Sequence, residues 1–421
     1  MHKLHILKDD LRVLTIPMRA TQTATVLVVM GTGSKYEDKH NNGISHFLEH
    51  MFFKGTAKRP NALDINEELD AIGGVYNAFT SKEYTGYLAK VDAAKLPVAL
   101  DVVSDMLINS KFDAAEIERE KGVIKEEINM YLDNPMAHLD DVFEECLYGD
   151  QPAGWETIGT KKNIAAFRRE DFLNYFNSQY GRQNTIICLV GNIGEDALEM
   201  TEKYFSRLKV AEFKDKLAVE EEQSSPQILV HKKKTDQAHL SLGVRSYAIG
   251  HKDEFVLRIM SAILGGSMSS RLFSELREKR GLAYYVHADA EFYTDSGYLS
   301  AFAGVPIDKI DEAIKIILDE YKEIKETPIG ERELKRVKDL IHGRTVIFLE
   351  GSENVAGWYG RQMILTGKVS APEDYFKKIN AVTAEDIKRV ARDIFVDAKL
   401  NLAVIGPYEG EREFIKTLKL S

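Results

Sequence analysis

Three short patterns recur in this chain in the same order and at nearly the same spacing, and that recurrence limits the fold more than any single motif. Thr85-Gly86-Tyr87-Leu88 returns as Ser296-Gly297-Tyr298-Leu299, and Leu189-Val190-Gly191 returns as Val404-Ile405-Gly406. The helical run at Ile117 returns as Leu334-Lys335-Arg336-Val337-Lys338. Each match lies roughly 210 to 217 residues downstream, the signature of a duplicated domain. A chain of 421 residues is too long for one hydrophobic core, which leads to the same division. Between the copies the chain turns charged and apolar-poor (Lys214, Asp215, Lys216, Glu220, Glu221, Glu222) and closes on Ser224-Ser225-Pro226. That is linker composition. The expected organisation is a first domain over 1–210, a linker over 211–227 and a second domain over 228–421.

Within the first copy, the apolar runs at residues 11–16 and 24–30 read as two strands paired with each other. A helix is expected over residues 62–72, stopped by Gly73-Gly74, followed by strands at 75–80 and 84–89. Helical periodicity returns over 93–109 and 116–131, and a strand at 185–190 precedes Gly191. The N-terminus has no apolar core of a secretion signal, and no run approaches the length of a membrane span. Cys146 and Cys188 are too few for a disulfide framework and fit buried thiols in a reducing cytoplasm, the expected location. A net charge of -10 argues against a nucleic-acid partner and for attraction of basic ones.

The chemistry concentrates in Gly43-Ile44-Ser45-His46-Phe47-Leu48-Glu49-His50-Met51-Phe52-Phe53. His46-x-x-Glu49-His50 is the inverted zinc motif H-x-x-E-H. In a helix, residues four apart share a face, so both imidazoles reach one metal ion. Glu49 then flanks the site, where a carboxylate takes a proton from a water that the metal polarises. Ser45 is the candidate N-cap. With eleven His in the chain, chance supplies only about 0.03 such matches. The flanking Phe47, Leu48, Met51, Phe52 and Phe53 are core formers, and polar groups embedded among them need partners.

A catalytic zinc takes three protein ligands and a water, so a third ligand is needed. Over residues 116–131, Ile117, Val123, Ile124, Ile128 and Tyr131 form an apolar stripe. Glu120 and Glu127 fall inside it, two turns apart on one face. Carboxylates facing a core are costly unless they meet cations. A metal on His46 and His50 supplies that charge, with Glu127 as third ligand and Glu120 orienting the site or assisting the base. Glu116, Glu118 and Glu126 read as solvated.

His46-Phe47-Leu48-Glu49-His50 followed by Glu120 and Glu127 resembles the pitrilysin family of zinc metallopeptidases, which includes insulin-degrading enzyme and the mitochondrial processing peptidase. The resemblance covers essentially the whole chain, and the length matches one subunit of the processing-peptidase type. It implies an α+β fold of two homologous domains, each a mainly antiparallel sheet packed with helices, together half of a clamshell. It also implies one Zn²⁺ per chain on His46, His50 and Glu127, Glu49 as general base and Glu120 as an accessory carboxylate. The strand at 75–80 becomes an edge strand that pairs with substrate through Asn77, Ala78 and Phe79. The second copy lacks the motif, since Glu120 aligns with Val337 and Glu127 with Arg344. It is expected to be an inactive domain forming the opposing wall. Arg277 and Tyr284 match the family's Arg and Tyr, where the Tyr stabilises the oxyanion and the Arg grips the substrate backbone. Gly265-Gly266-Ser267-Met268-Ser269-Ser270 resembles a shortened form of the glycine-rich loop of the processing peptidase's non-catalytic subunit.

The expected function is a zinc endopeptidase acting on extended, basic peptides in a chamber. The full-length relatives place the zinc in their first domain and the Arg/Tyr wall in their fourth. A two-domain chain is therefore expected to complete the chamber as a homodimer. The competing reading is a non-catalytic structural or peptide-binding subunit of the same fold.

Overall fold

Aliphatic and β-branched runs become two mixed sheets in the computed structural model of the chain, which describes residues 2–420. The first contains β1 (Lys3–Ile6), β2 (Arg12–Pro17), β3 (Thr23–Met30), β4 (Val75–Thr80), β5 (Thr85–Asp92) and β6 (Thr185–Gly191), in the order β1-β2-β6-β3-β5-β4. The second contains β7 (Gln227–Lys232), β8 (Ala238–Arg245), β9 (Tyr285–Phe292), β10 (Gly297–Val305) and β11 (Leu400–Gly406), in the order β7-β11-β8-β10-β9. The second order repeats β2-β6-β3-β5-β4 strand for strand. Each sheet has one parallel pair at the same place, β2 with β6 and β7 with β11, and is antiparallel across its next three pairs. The matched sequence segments at Gly86/Gly297 and Gly191/Gly406 fall in corresponding strands. The duplication is therefore one of topology as well as of sequence.

The expected pairing of residues 11–16 with 24–30 does not form. β6 lies between them, with Val13 opposite Ile187 and Val26 opposite Leu189. All seven residues of β6 are buried. A strand apolar on both faces gains most at the centre of a sheet, and this outweighs the short connection that favours a local hairpin.

By internal packing the described chain forms two units. The first comprises the N-terminal region through Asn129, Glu156–Leu217 and Val346–Ala371; the second comprises Met130–Trp155, Ala218–Thr345 and the chain from Pro372 onward. The change at Leu217/Ala218 falls inside the expected linker, but the division is not linear along the chain. Helix Pro135–Tyr148, assigned to 1–210 on sequence, belongs to the second unit, where Leu139, Val142, Phe143 and Leu147 pack with Phe302, Ala403 and Ile405. Helix Ser352–Thr366, assigned to 228–421, belongs to the first, where Val355, Ala356, Tyr359 and Met363 cover Leu27, Val29, Ile186, Cys188 and Val190. Gly360 permits that approach, since a Cβ there would meet Val29 at 3.0 Å and Cys188 at 3.2 Å. An apolar face encodes that it must be covered, not by which sheet. Here each of these helices covers the sheet encoded by the other half.

Alternation places β3 between two layers. Leu27 and Val29 face helix Ser352–Thr366, whereas Val26, Val28 and Met30 are buried on the opposite face, the side of helix Leu96–Asn109. β4 closes one end of this sheet with its outer edge unpaired by any described strand. No helix among the described residues is long and apolar enough to cross a membrane.

Candidate metal centre

The motif helix runs Ile44–Phe52 and buries Ile44, Phe47, Leu48, Met51 and Phe52. Phe47 packs on Phe167 and Phe172, and Phe52 on Tyr87, Phe112, Phe176 and Tyr180. Ser45 is not its cap. The helix begins after Gly43, whose φ of 98° suits glycine. Its free amides are met from outside by the buried Glu37, whose two oxygens accept from the amides of Gly43 and Ser45 at 2.8 Å each. Burial pushes the Glu37 carboxyl up to about 7, against those backbone hydrogen bonds.

The second helix, Ala114–Asp133, buries Ile117, Glu120, Lys121, Ile124 and Ile128. Two members of the expected stripe fall outside it. Val123 lies at its margin and is 49% exposed, and Tyr131, near the helix end, is 43% exposed. Glu120 is buried and Glu127 half-buried, so the two carboxylates predicted to face inward do so.

The two helices bring the polar groups together. His50 Nε2 lies 3.5 Å from one Glu127 oxygen, and His46 Nε2 lies 3.7 Å from the other. Donor atoms of all three residues fall within 4.8 Å of one another. Ligands about 2.0–2.2 Å from one tetrahedral zinc stand roughly 3.3–3.6 Å apart; the His50–Glu127 spacing falls in that range and the His46–Glu127 spacing just beyond it. Burial, then the neighbouring His50, lowers the His46 pKa to about 3, which keeps the ring in the neutral form that a ligand requires. Two imidazoles and a carboxylate are also the donor set that zinc prefers.

Glu120 sits behind this trio. One of its oxygens is 2.8 Å from His50 Nδ1 and the other 2.6 Å from Lys54 Nζ. Burial alone would raise its carboxyl, but these hydrogen bonds and charges outweigh it and hold Glu120 below the ordinary value. A carboxylate on Nδ1 fixes the ring so that Nε2 faces the trio. Burial raises Glu127 and Glu49. Glu49 accepts one hydrogen bond, from Thr80 Oγ1 on β4 at 2.6 Å. A cleft of about 270 Å³ opens beside it, lined by Glu49, His50, Phe53, Tyr76, Asn77 and Ala78 among others.

β4 therefore borders the site and carries a free edge. Ala78 and Thr80 lie toward the motif helix, while Phe79 points to the other face, its ring against Gly86 and 5.8 Å from Tyr84. A substrate role for Phe79 would involve its backbone, not its ring. Asn77 Oδ1 accepts from the Ala78 amide at 3.0 Å. Arg277 and Tyr284 belong to the second unit. The Arg277 guanidinium donates to the Tyr284 carbonyl and lies 5.7 Å from its ring and 5.2 Å from that of Phe273. Tyr284 is 74% exposed.

Sequence reasoning missed Glu37, Lys54 and Thr80. None carries a motif signal by itself. Lys54 had one usable cue, its position one turn beyond His50 on the same face.

Residues 12–161 match the family model for insulinase (peptidase family M16), and residues 166–341 match that for the peptidase M16 inactive domain. The chain is 36% identical over 408 residues to the "uncharacterized zinc protease YmxG" of Bacillus subtilis, covering 97% of this chain and 98% of that one. It is 34% identical over 403 residues to an "uncharacterized zinc protease" of Rickettsia felis, covering 95% and 96%. A crystal structure of a protease from Helicobacter pylori superposes with a TM-score of 0.91 at 27% identity, over 97% of this chain and all of that one.

Proposed function

Because this chain belongs to the insulinase family of peptidases, family M16, we propose that it is a zinc-dependent endopeptidase that cuts extended, basic peptides. The observation that carries the proposal is the convergence of His46, His50 and Glu127 within 4.8 Å, with Glu49 and the free edge of β4 beside them. His46 Nε2, His50 Nε2 and Glu127 would hold one zinc ion. Zinc so held supplies Lewis-acid polarisation of a water and of the scissile carbonyl.

The chain's own residues do the rest. The open edge of β4 binds an extended segment by strand addition through Asn77 and Ala78. Glu49 takes a proton from the attacking water and hands it to the leaving amine, a role suited to a carboxyl raised by burial. Glu120 holds the His50 ring in its ligating orientation. Purified protein mixed with a peptide library, with and without a chelator, should give internal cuts that the chelator abolishes. Intact peptides in both arms would favour the non-catalytic, peptide-binding reading.

A basic preference follows from the carboxylates around the cleft and the net charge of -10. Cleavage of a basic peptide should exceed that of an acidic one of equal length, and the gap should shrink as salt screens the attraction. A salt-independent preference for the acidic peptide would overturn this assignment.

We also propose that the working form is a homodimer, in which Arg277 and Tyr284 of one protomer complete the chamber around the zinc site of its partner. The exposed Tyr284 hydroxyl, unpaired among the described residues, is free for such a role. Mixing Glu49→Gln with Tyr284→Phe, each inactive alone, should then restore activity, since one site of the mixed dimer has every group intact. An active monomer, or a mixture that stays inactive after proven subunit exchange, would show the model to be wrong.

A further inference from the structure

We propose that Thr80 is a positioning residue for Glu49, holding one carboxylate oxygen so that the other is aimed at the attacking water. The proposal rests on the peptidase reading above. Thr80 Oγ1 donates to Glu49 Oε2 at 2.6 Å, and no other described residue hydrogen-bonds to this carboxylate. A glutamate side chain otherwise turns about three bonds, so a single short hydrogen bond decides where its free oxygen points.

The bond orders Glu49 only if Thr80 is itself fixed, and the structure fixes it from three directions. Thr80 is the last residue of β4 and pairs with Thr85 of β5. The turn after it is closed by the Ser81 amide on the Tyr84 carbonyl at 2.9 Å. That turn is then fastened to residues 33–35. The amides of Ser34 and Lys35 donate to the carbonyls of Ser81 and Lys82 at 3.2 and 2.8 Å. Lys35 Nζ meets Glu83 at 3.0 Å, with the two side chains 1% and 2% exposed. Gly33 is required here, because a Cβ would lie 2.0 Å from the Ser81 carbonyl oxygen.

The same segment continues two residues on to Glu37, the buried carboxylate that caps the motif helix. The residue 33–37 segment thus grips both parts of the base: the helix backbone through Glu37, and the carboxylate through the β4–β5 turn and Thr80. Thr80 also lies on the strand whose edge is offered to substrate, so the base is registered to the peptide rather than to the helix alone.

The test uses Thr80→Val, which keeps shape and β-branching but removes the donor, and Thr80→Ser, which keeps the donor. Thr80→Val should lower kcat roughly ten- to thirtyfold, the effect of freeing one long side chain. KM should stay within about twofold and zinc content should be unchanged. Thr80→Ser should return kcat to near the parent value. In a Glu49→Gln background, where residual turnover no longer uses the carboxylate, adding Thr80→Val should change nothing further.

An unchanged kcat in Thr80→Val overturns the proposal. So does a Ser variant as impaired as Val, which would assign the effect to packing of the γ-methyl. A rise in KM alone also overturns it, since that would make Thr80 a substrate-strand residue. If Thr80→Val does not fold, Thr80→Ala, which also removes the donor, takes its place against Thr80→Ser and in the Glu49→Gln background. A parent protein with no peptidase activity would instead sink the reading on which the proposal rests.

Discussion

The Glu49→Gln substitution is expected to leave the zinc content equal to that of the parent while lowering kcat by roughly 10² to 10⁴, the usual worth of a positioned general acid–base group. Glu49 lies between His46 and His50 in sequence and beside His50 at the cleft, but it is not part of the trio; the groups that converge are His46, His50 and Glu127. Glutamine is nearly isosteric and can still accept from Thr80, so the helix and the cleft should keep their form. What it loses is basicity. The same group serves twice, as base toward water and as acid toward the leaving amine, so its removal impairs both proton transfers. Steady-state kinetics on one peptide with metal content measured on the same preparation separates the outcomes. Lost zinc would mean that Glu49 is a ligand. Retained zinc with parental kcat would mean that another group takes the proton.

His50→Ala is expected to abolish stoichiometric zinc and turnover together, and Glu127→Gln to weaken zinc binding at least as much as loss of a supporting carboxylate, roughly 10- to 100-fold. His50 has the most connections of the three. Its Nε2 faces Glu127 and its Nδ1 meets Glu120. Its removal opens the trio and leaves Glu120 with Lys54 as its remaining partner among these groups. Because zinc binds the folded site, free metal at 100 times its Kd should stabilise the parent by about 2.7 kcal/mol. Titrating zinc during thermal unfolding should therefore raise Tm in the parent and leave His50→Ala flat. Elemental analysis that finds a full zinc complement in purified His50→Ala would overturn the ligand assignment.

Much of the candidate site was legible in the sequence because it lies on two helices, where spacing is geometry. A separation of four puts His46 and His50 on one face, and a separation of seven does the same for Glu120 and Glu127. Two carboxylates at apolar-stripe positions and two imidazoles flanked by core formers required a common partner, and that requirement needs no coordinates. Glu37, Lys54 and Thr80 were not legible in this way. They act across loops and across a sheet, through contacts whose sequence separation carries no period. The misassigned cap shows the same limit: Ser45 has the right chemistry beside the helix start, but the amides there were taken by a carboxylate eight residues upstream.

What the sequence determined by itself is the duplication, most of the elements and the identity of the groups that face inward. Each is a local or periodic property, set by side-chain alternation, helical repeat and internal similarity. The tertiary structure decided which elements meet. It inserted β6 between two strands that local spacing would pair. It placed β4 at the edge, and it assigned helices Pro135–Tyr148 and Ser352–Thr366 to units other than their own halves. The physical reason is that burial is non-directional. An apolar surface gains nearly the same free energy against any well-shaped apolar partner, so its pattern specifies a buried face while only the packed whole selects the neighbour.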